Sequence, residues 1–400
     1  MQKLSLFFCT TFLLLITFIY ANILNDTDVV DTLNSTTRTL KFVQAIWIHG
    51  NSAPDGLPYP FDLNTEDKWV RGWDQLTDVG INEMKELGDF LKSRYVGTFV
   101  NSTYSSKNVY IRSSDSMRAL SSAQALTLGL YPVSKRSSLP VQIVPIHAPS
   151  PHDNDALLKP VAFECPEYNN QAQHVNQNLF NSLSQNYTSF FEFLGNVTGF
   201  EEAITLKQIV NVYDVSNEIL HNLTQPEWMH KTWPEHNNNT TLQIISEIKR
   251  IATFHAFNEE QLSLLKGGFV LGHMLANIQK TINNHHKCNR NMVLYSSHDS
   301  TLYALMASLK LQPDYLLSHA ACLMIELFEV SNETYEIELS LRNNHVVTTL
   351  NIPDCGMSCE WNKFVEIYRE REYDTKKELF RECGREYCDV EDAGIFEYAD

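Results

Sequence analysis

Residues 40–50 form a nearly continuous apolar run, LKFVQAIWIHG, that ends in His-Gly. Such a run is typical of a strand that is buried on both faces and then leads into a loop. The turn-rich segment that follows, NSAPDGLPYPFDLN, predicts this loop. Apolar spacing then predicts a helix over 78–95, a strand over 108–112 and a helix over 116–130. This order predicts an α/β fold, a mixed central sheet flanked by helices.

The chain of 400 residues, 43% of them hydrophobic, can bury a substantial core. Between about residues 149 and 290, Pro, Asn and His are frequent, and we interpret this part as a mostly helical inserted subdomain. Helices are predicted there over 175–194, 203–220, 242–257 and 261–285. After it, the patterns predict a strand over 291–297, a helix over 300–309 and a β-hairpin of 322–330 with 334–341. The α/β core is therefore assigned to 41–148 and 291–345, within one domain of residues 41–385.

The two ends of the chain differ from this domain. Residues 1–21 hold Lys3 and then a long apolar stretch, which predicts a signal peptide for secretion, with an uncleaved membrane anchor as the alternative. Residues 22–40 are polar, and residues 386–400 form an acidic tail without a hydrophobic segment. No other stretch approaches the roughly 20 apolar residues of a membrane span, so no stable membrane association is expected.

Sequons and cysteines fit a secreted or lysosomal glycoprotein. Nine Asn-x-Ser/Thr sequons occur, at Asn25, Asn34, Asn101, Asn186, Asn196, Asn222, Asn238, Asn239 and Asn332. Removal of Cys9 with the signal peptide leaves seven cysteines, most of which we expect to pair in an oxidising compartment. An odd number leaves at least one free or bonded to another molecule. The formal net charge of -17 disfavours nucleic acid as a partner.

Three segments could carry chemistry, and each has a simpler interpretation. His49-Gly50 ends the first strand, as an incidental turn histidine could. Arg112 ends the second strand and Arg118 begins the next helix, as solvent-facing arginines could. His298-Asp299 stands between a strand and a helix, where an acidic residue often caps the helix. Because sites in open α/β sheets form at the carboxyl ends of strands, we expect the three segments to meet in one crevice.

Taken together, the segments resemble the histidine acid phosphatase family. That family has Arg-His-Gly-x-Arg-x-Pro after its first strand, then R-S-[ST]-D-x-x-R-x-x-x-S-A, then His-Asp. The corresponding residues of this chain are IHGNSAP (48–54), RSSDSMRALSSA (112–123) and His298-Asp299. The likeness extends from about Lys41 to Cys383. It implies the histidine phosphatase fold, similar to that of phosphoglycerate mutase, and an acid phosphatase that hydrolyses phosphate monoesters.

The resemblance also implies a mechanism that needs no metal or other cofactor. His49 would attack phosphorus and form a phosphohistidine. Asp299 would protonate the leaving oxygen and then activate water. Arg112 and a protonated His298 would bind the phosphate oxygens and stabilise the transition state. Family members often act as homodimers, so a homodimer is possible here.

Two departures weaken this expectation. The family's two motif arginines are Ile48 and Ser52 here, and neither side chain can bind phosphate as the arginine fork does. Loss of one organised donor typically costs about 10²–10³ in rate, so turnover is expected to be slow. Lys68 or Arg71 in the following loop could compensate. The alternatives are a catalytically inactive secreted glycoprotein with a binding role, or a structural glycoprotein in which the segments do not meet.

Finally, the resemblance implies disulfides. It implies a bridge between Cys355 and Cys359, and one from Cys165 to Cys383, with Cys388 as the alternative partner. The usual partner of Cys322 is missing after Val212-Tyr213-Asp214, so Cys322 would be free or bonded to Cys288.

Overall fold

The computed structural model describes residues 38–133, 139–150, 154–200, 204–283, 290–331 and 333–387. The predicted signal peptide, nearly all of the polar stretch before residue 40 and all but two residues of the acidic tail lie outside the described residues. Cys288 and Cys388 also lie outside them, as do the sequons at Asn25, Asn34 and Asn332.

A seven-stranded mixed sheet forms the centre of the fold, as the sequence predicts. Its strands are β1 (Thr39–Ile48), β2 (Val109–Ser113), β5 (Met292–Ser297), β6 (Cys322–Ser331), β7 (Thr334–Asn343), β8 (Val346–Thr349) and β9 (Cys359–Glu360). They run in the order β2-β5-β1-β6-β7-β8, and β9 pairs with β7. β5 lies parallel to both β1 and β2, whereas β6 to β9 pair antiparallel. The carboxyl ends of β1, β2 and β5 therefore lie side by side at one edge.

The described α-helices are α1 (Asp78–Tyr95), α2 (Met117–Leu130), α3 (Pro166–Asn186), α4 (Thr188–Thr198), α5 (Leu206–Val212), α6 (Val215–Leu220), α7 (Thr241–His255), α8 (Glu260–Asn283), α9 (Asp299–Ser308), α10 (Trp361–Tyr368) and α11 (Lys376–Glu382). Short 3₁₀ turns occur at Glu66–Lys68, Glu227–His230 and Pro234–His236, and a separate hairpin pairs β3 (Thr232–Trp233) with β4 (Asn239–Thr240). The prediction of α1 is confirmed with the same bounds, because its buried residues repeat at helical spacing.

Helices cover both faces of the sheet, which explains why β1 is apolar almost throughout. Val43, Ala45 and Trp47 pack on one face with α1 and α2. Phe42 and Ile46 pack on the other face, the α8 face, with α8, α9, α10 and α11. Helices α1 and α2 approach each other closely at two glycines: a Cβ on Gly88 would lie 2.1 Å from the backbone oxygen of Leu126. Only glycine permits this contact without backbone movement.

The helical region has a core of its own, formed mainly by α3 to α7. Two of the helices predicted there are each divided into two. The segment 175–194 breaks at Tyr187, between α3 and α4, and the segment 203–220 breaks at residues 213–214, between α5 and α6. In both cases the helices on either side of the break bury residues in the same core, so the apolar pattern continues across it. The hairpin β3–β4 was not predicted, because two-residue strands leave no alternating pattern.

Both predicted disulfides among the described cysteines are confirmed. Cys165 bonds to Cys383 across 218 positions of sequence, and Cys355 bonds to Cys359. Cys322 is free and buried. The sequon asparagines within the described residues are all exposed, as glycosylation requires. None of the described helices is both long and apolar enough to cross a membrane.

A buried carboxyl pair ties the loop after β1 to the helical region. Glu218 of α6 is fully buried, and Asp62 of the loop is 6% exposed. Asn64 and Gln225 donate hydrogen bonds of 2.6 and 2.9 Å to Oε2 of Glu218. Oε1 of Glu218 and Oδ2 of Asp62 are both buried, and neither accepts a hydrogen bond from the residues that the structure describes. Burial raises the pKa of Glu218 to about 7, and the nearby Asp62 carboxyl adds to the increase.

Because of this carboxyl pair, we expect a contribution to the free energy of unfolding that falls as pH rises. The pKa of Glu218 is about 7 in the folded protein and 4.5 ordinarily, so the folded protein holds an extra proton between these values. The stabilisation is complete below about pH 4.5 and is lost through about pH 7, a change of roughly 3 kcal/mol. Buried histidines such as His273 act in the opposite direction, because burial lowers the pKa of His273 to about 3. The measurement is therefore the difference in unfolding free energy between the wild type and Glu218→Gln. We expect the variant to become more stable relative to the wild type as pH rises. A difference in unfolding free energy that does not change with pH would contradict the prediction.

Candidate active site

The three predicted segments meet at the carboxyl ends of β1, β2 and β5. The backbone N–H of His49 donates to the carbonyl of Ser297 at 3.2 Å, and that of Ser114 donates to Ser296 at 3.1 Å. The rings of His49 and His298 have centroids 5.6 Å apart and lie edge to face. Oγ of Ser114 lies 2.9 Å from Nε2 of His298. The alternative in which the segments do not meet is therefore wrong.

His49 is held in one orientation and one tautomer. Its Nδ1 lies 2.8 Å from the carbonyl oxygen of Gly50. Because a carbonyl can only accept, Nδ1 carries the proton and Nε2 keeps its lone pair. Burial lowers the pKa of His49 well below its ordinary value, and the charge of Arg118 lowers it further. The ring is thus a neutral base whose Nε2 keeps its lone pair, the form that a nucleophile requires.

The tight turn after His49 depends on Gly50. A Cβ at this position would lie 2.4 Å from the backbone oxygen of Gly80 in α1, so a larger residue would push the loop away from the helix. The Gly50 N–H also donates to Oγ of Ser122 at 3.0 Å. The loop that carries His49 is therefore fixed against both α1 and α2.

His298 and Asp299 stand at the start of α9, next to β5. His298 precedes the helix, and Asp299 is its first residue and accepts a 2.7 Å hydrogen bond from the N–H of Ser300. Burial lowers the pKa of His298 to about 4, with a further decrease from Arg118 and an opposing increase from Asp299. In the substrate-free protein at pH 5 this imidazole is therefore mostly neutral. The cationic form expected from the sequence requires the charge of a bound phosphate.

Arg112 has a buried carboxylate partner. Its guanidinium donates to Oδ1 of Asp155 at 3.2 Å, and this oxygen also accepts the N–H groups of Leu157 and Leu158 at 3.1 and 3.2 Å. Arg112 pairs in register with Tyr295, whose side chain packs among the apolar residues of the α8 face. Arg112 thus anchors Asp155 and the residues that directly follow it, and a direct contact of Arg112 with phosphate stays a prediction.

Arg118, in the first turn of α2, is the arginine whose charge acts on the pKa of both His49 and His298. Its Nη1 hydrogen-bonds to Asp74, and its Nε is buried with no partner among the described residues. The charge of Lys159 also lowers the pKa of His298, and Lys159 pairs with Asp115. Each of these two cations therefore has a carboxylate of the chain as its partner.

The two positions that lack motif arginines are used for packing. Ile48 is 3% exposed and belongs to the apolar cluster of the α8 face. Ser52 is 5% exposed and pairs with Leu76 through the backbone. The suggested compensating cations are engaged elsewhere: Lys68 pairs with Asp67, and Arg71 pairs with Asp78.

A neutral polar network next to His49 was missed by the sequence analysis. Asn51 donates from Nδ2 to Oδ1 of Asn217 at 2.9 Å and lies 3.3 Å from Nε2 of His319. Nε2 of His221 lies 2.8 Å from Oδ1 of Asn51. The His319 ring lies 6.2 Å from that of His49. His319 precedes the apolar run of β6, and β6 pairs antiparallel with β1. This pairing brings His319 close to the end of β1. The apolar run is the only feature of the sequence that indicates where His319 lies.

Asp214, which directly precedes α6, is a further carboxyl group near Asp299. Burial raises the pKa of Asp214 to about 6, and the charges of Asp55 and Asp299 contribute to this increase. At pH 5 Asp214 is therefore mostly protonated, which reduces the negative charge that an incoming phosphate meets.

Comparison with known proteins agrees with this architecture. The chain matches the model of the histidine phosphatase superfamily (branch 2) over residues 33–342. It is 31% identical to the lysosomal acid phosphatase of Rattus norvegicus over 343 residues, which cover 82% of this chain and 77% of that protein. It is 30% identical to the prostatic acid phosphatase of Bos taurus over 338 residues, which cover 82% and 84%.

Solved structures show the same fold at low sequence identity. The phytase from Citrobacter braakii superposes with a TM-score of 0.61 at 15% identity, covering 86% of this chain and 99% of that one. The Hafnia alvei phytase in complex with myo-inositol hexakis sulphate has a TM-score of 0.62 at 13% identity, covering 84% and 98%. With the family model and the curated relatives, these likenesses show that the chain belongs to branch 2 of the histidine phosphatase superfamily.

Proposed function

We propose that this protein is an acid phosphatase that hydrolyses phosphate monoesters through a phosphohistidine on His49. The observation that carries the proposal is the state of His49, a neutral ring with Nδ1 bound to the Gly50 carbonyl and Nε2 free, beside His298. Relatives named lysosomal and prostatic acid phosphatases support it. The exposed sequons and the two disulfides support a secreted or lysosomal glycoprotein.

The reaction has two steps. First, the Nε2 lone pair forms a bond to phosphorus, the bond from phosphorus to the ester oxygen breaks, and protonated Asp299 gives that oxygen its proton. The alcohol then leaves. Second, the Asp299 carboxylate takes a proton from water, the water oxygen bonds to phosphorus, and the N–P bond returns its electron pair to Nε2. Arg118 and His298 stabilise the charge on the equatorial oxygens in both steps.

Slow turnover is part of the proposal, because Ile48 and Ser52 supply no charge. The same observation favours the second candidate, a secreted glycoprotein that binds an anion without turnover. Ile48 replaces one of the family's motif arginines, and its side chain packs in the apolar core. The position has therefore exchanged a binding role for a packing role.

The test is turnover of an aryl phosphate near pH 5 combined with trapping of the intermediate. Purified protein is mixed with the ³²P-labelled ester and quenched in alkali, where phosphohistidine survives. We expect label on the peptide that contains His49. Turnover with label on another residue would overturn the mechanism, and absence of both turnover and label would favour the binding role.

A further inference from the structure

His319 lies beside His49, in a site where Ile48 and Ser52 replace the two motif arginines. Its ring centroid is 6.2 Å from that of His49, and the two rings are inclined by 36°. The next residue, Ala320, donates its N–H to the carbonyl of His49 at 3.3 Å. This bond holds the segment before β6 against the turn that carries the nucleophile. His319 is therefore held beside His49 by the backbone, independently of its side-chain contacts.

The side-chain network sets the orientation of the His319 ring. Nε2 lies 3.3 Å from Nδ2 of Asn51 and 3.2 Å from Oδ1 of Asn217. Because a carboxamide nitrogen only donates, Nε2 accepts from Asn51 and the proton of the neutral ring is on Nδ1. Asn51 itself is fixed, since Oγ1 of Thr77 and Nε2 of His221 both hydrogen-bond to its Oδ1, at 2.7 and 2.8 Å.

We propose that His319 binds the phosphoryl group that is transferred to His49, with its Nδ1–H donating to an equatorial oxygen. This role rests on the proposed function and takes over part of the binding lost with the two motif arginines.

The network can hold His319 in either protonation state. The titratable groups that act on it are His49 and Asp299, while Asn51 and Asn217 are neutral. Burial lowers the pKa of His319 to about 4, and Asp299 opposes this decrease. A bound phosphate favours a second proton on the ring. Nε2–H then has an acceptor in place, Oδ1 of Asn217, so protonation requires no rearrangement of the ring.

Two substitutions separate the roles of the two ring nitrogens. His319→Gln keeps a polar group near Nε2 and removes the Nδ1 donor. His319→Asn keeps a donor near Nδ1 and removes the group that contacts Asn51. The probe is inorganic phosphate, titrated calorimetrically into the full-length secreted protein at pH 5. We expect Kd to rise about 10- to 100-fold in His319→Gln, as for loss of a hydrogen bond to a charged group, and less in His319→Asn.

His221→Asn provides the control, because it removes the Nε2 group with which His221 hydrogen-bonds to the same Asn51 side chain. If His221→Asn weakens phosphate binding as much as His319→Gln does, the effect comes from the position of Asn51 and the proposal is overturned. Unchanged phosphate affinity in His319→Gln also overturns it, as does a wild-type protein that binds no phosphate. Wild-type binding without turnover would reject the phosphatase function alone, because the affinity ratio still tests His319.

Discussion

His49→Ala will lower kcat/KM for an aryl phosphate by at least about 10³-fold, because no phosphoenzyme can form without the Nε2 nucleophile. In the wild type this nitrogen is free because Nδ1 is bound to the Gly50 carbonyl. Alanine leaves the loop backbone in place, since the bonds from His49 N–H to Ser297 and from Ala320 N–H to the His49 carbonyl are independent of the side chain. We therefore expect the variant to fold and still to bind inorganic phosphate.

The controls for this variant are an exposed histidine and a thermal melt. His174, in α3, has an exposed side chain. His174→Ala should retain wild-type kcat/KM within about twofold, as is usual for surface substitutions. Equal activity in the wild type and His49→Ala would show that His49 is not the nucleophile. Absence of turnover in both proteins would favour the binding role.

The architecture could be predicted wherever one element produces a pattern of its own. The strand before His49 is apolar on both faces because helices cover both, and α1 has a buried stripe with helical spacing. The final elements gave weaker signals. β8 is exposed at every residue, and β9 has only two residues, so neither shows alternation between buried and exposed positions.

The site could be predicted only where a residue follows a strand directly. His49 and His298 do so, and parallel pairing of β1 with β5 brings them together. Arg112 lies within β2 itself, where one position decides which face a side chain occupies. Its partner is Asp155, 43 positions later in the sequence, and no local pattern connects the two residues. To predict that His319 lies in the site, one must know that β6 lies beside β1.

The missing motif arginines are not the only feature that limits the positive charge available to a phosphate. The cations near the histidines, Arg118 and Lys159, are paired with Asp74 and Asp115. A phosphate dianion that enters the site competes with these carboxylates. The slow turnover that we propose would thus have two separable origins: arginines that are absent, and an arginine that is already engaged.

Arg118→Ala will lower kcat/KM by about 10²–10³-fold, the usual effect of removing one organised donor to transition-state charge. Arg112→Ala is the informative comparison. It leaves Asp155 buried without its cation, so we expect a loss of stability of about 3–5 kcal/mol. Per folded molecule its effect on kcat/KM should be smaller than that of Arg118→Ala. The reverse order, with Arg112→Ala inactive and Arg118→Ala active, would support the prediction made from the sequence that Arg112 binds phosphate.

Asp74→Asn should act in the opposite direction to Arg118→Ala, and a gain of function cannot result from misfolding. Asp74 has a φ of 60°, a conformation that asparagine tolerates well, and its N–H bond to the Pro54 carbonyl is retained. Removing the carboxylate charge frees the Arg118 guanidinium for phosphate, so KM should fall about two- to fivefold, the worth of one partly exposed ion pair. In the Arg118→Ala background the same substitution should have no effect on KM. An equal decrease in both backgrounds would mean that Asp74 acts through the general field of the site and not through Arg118.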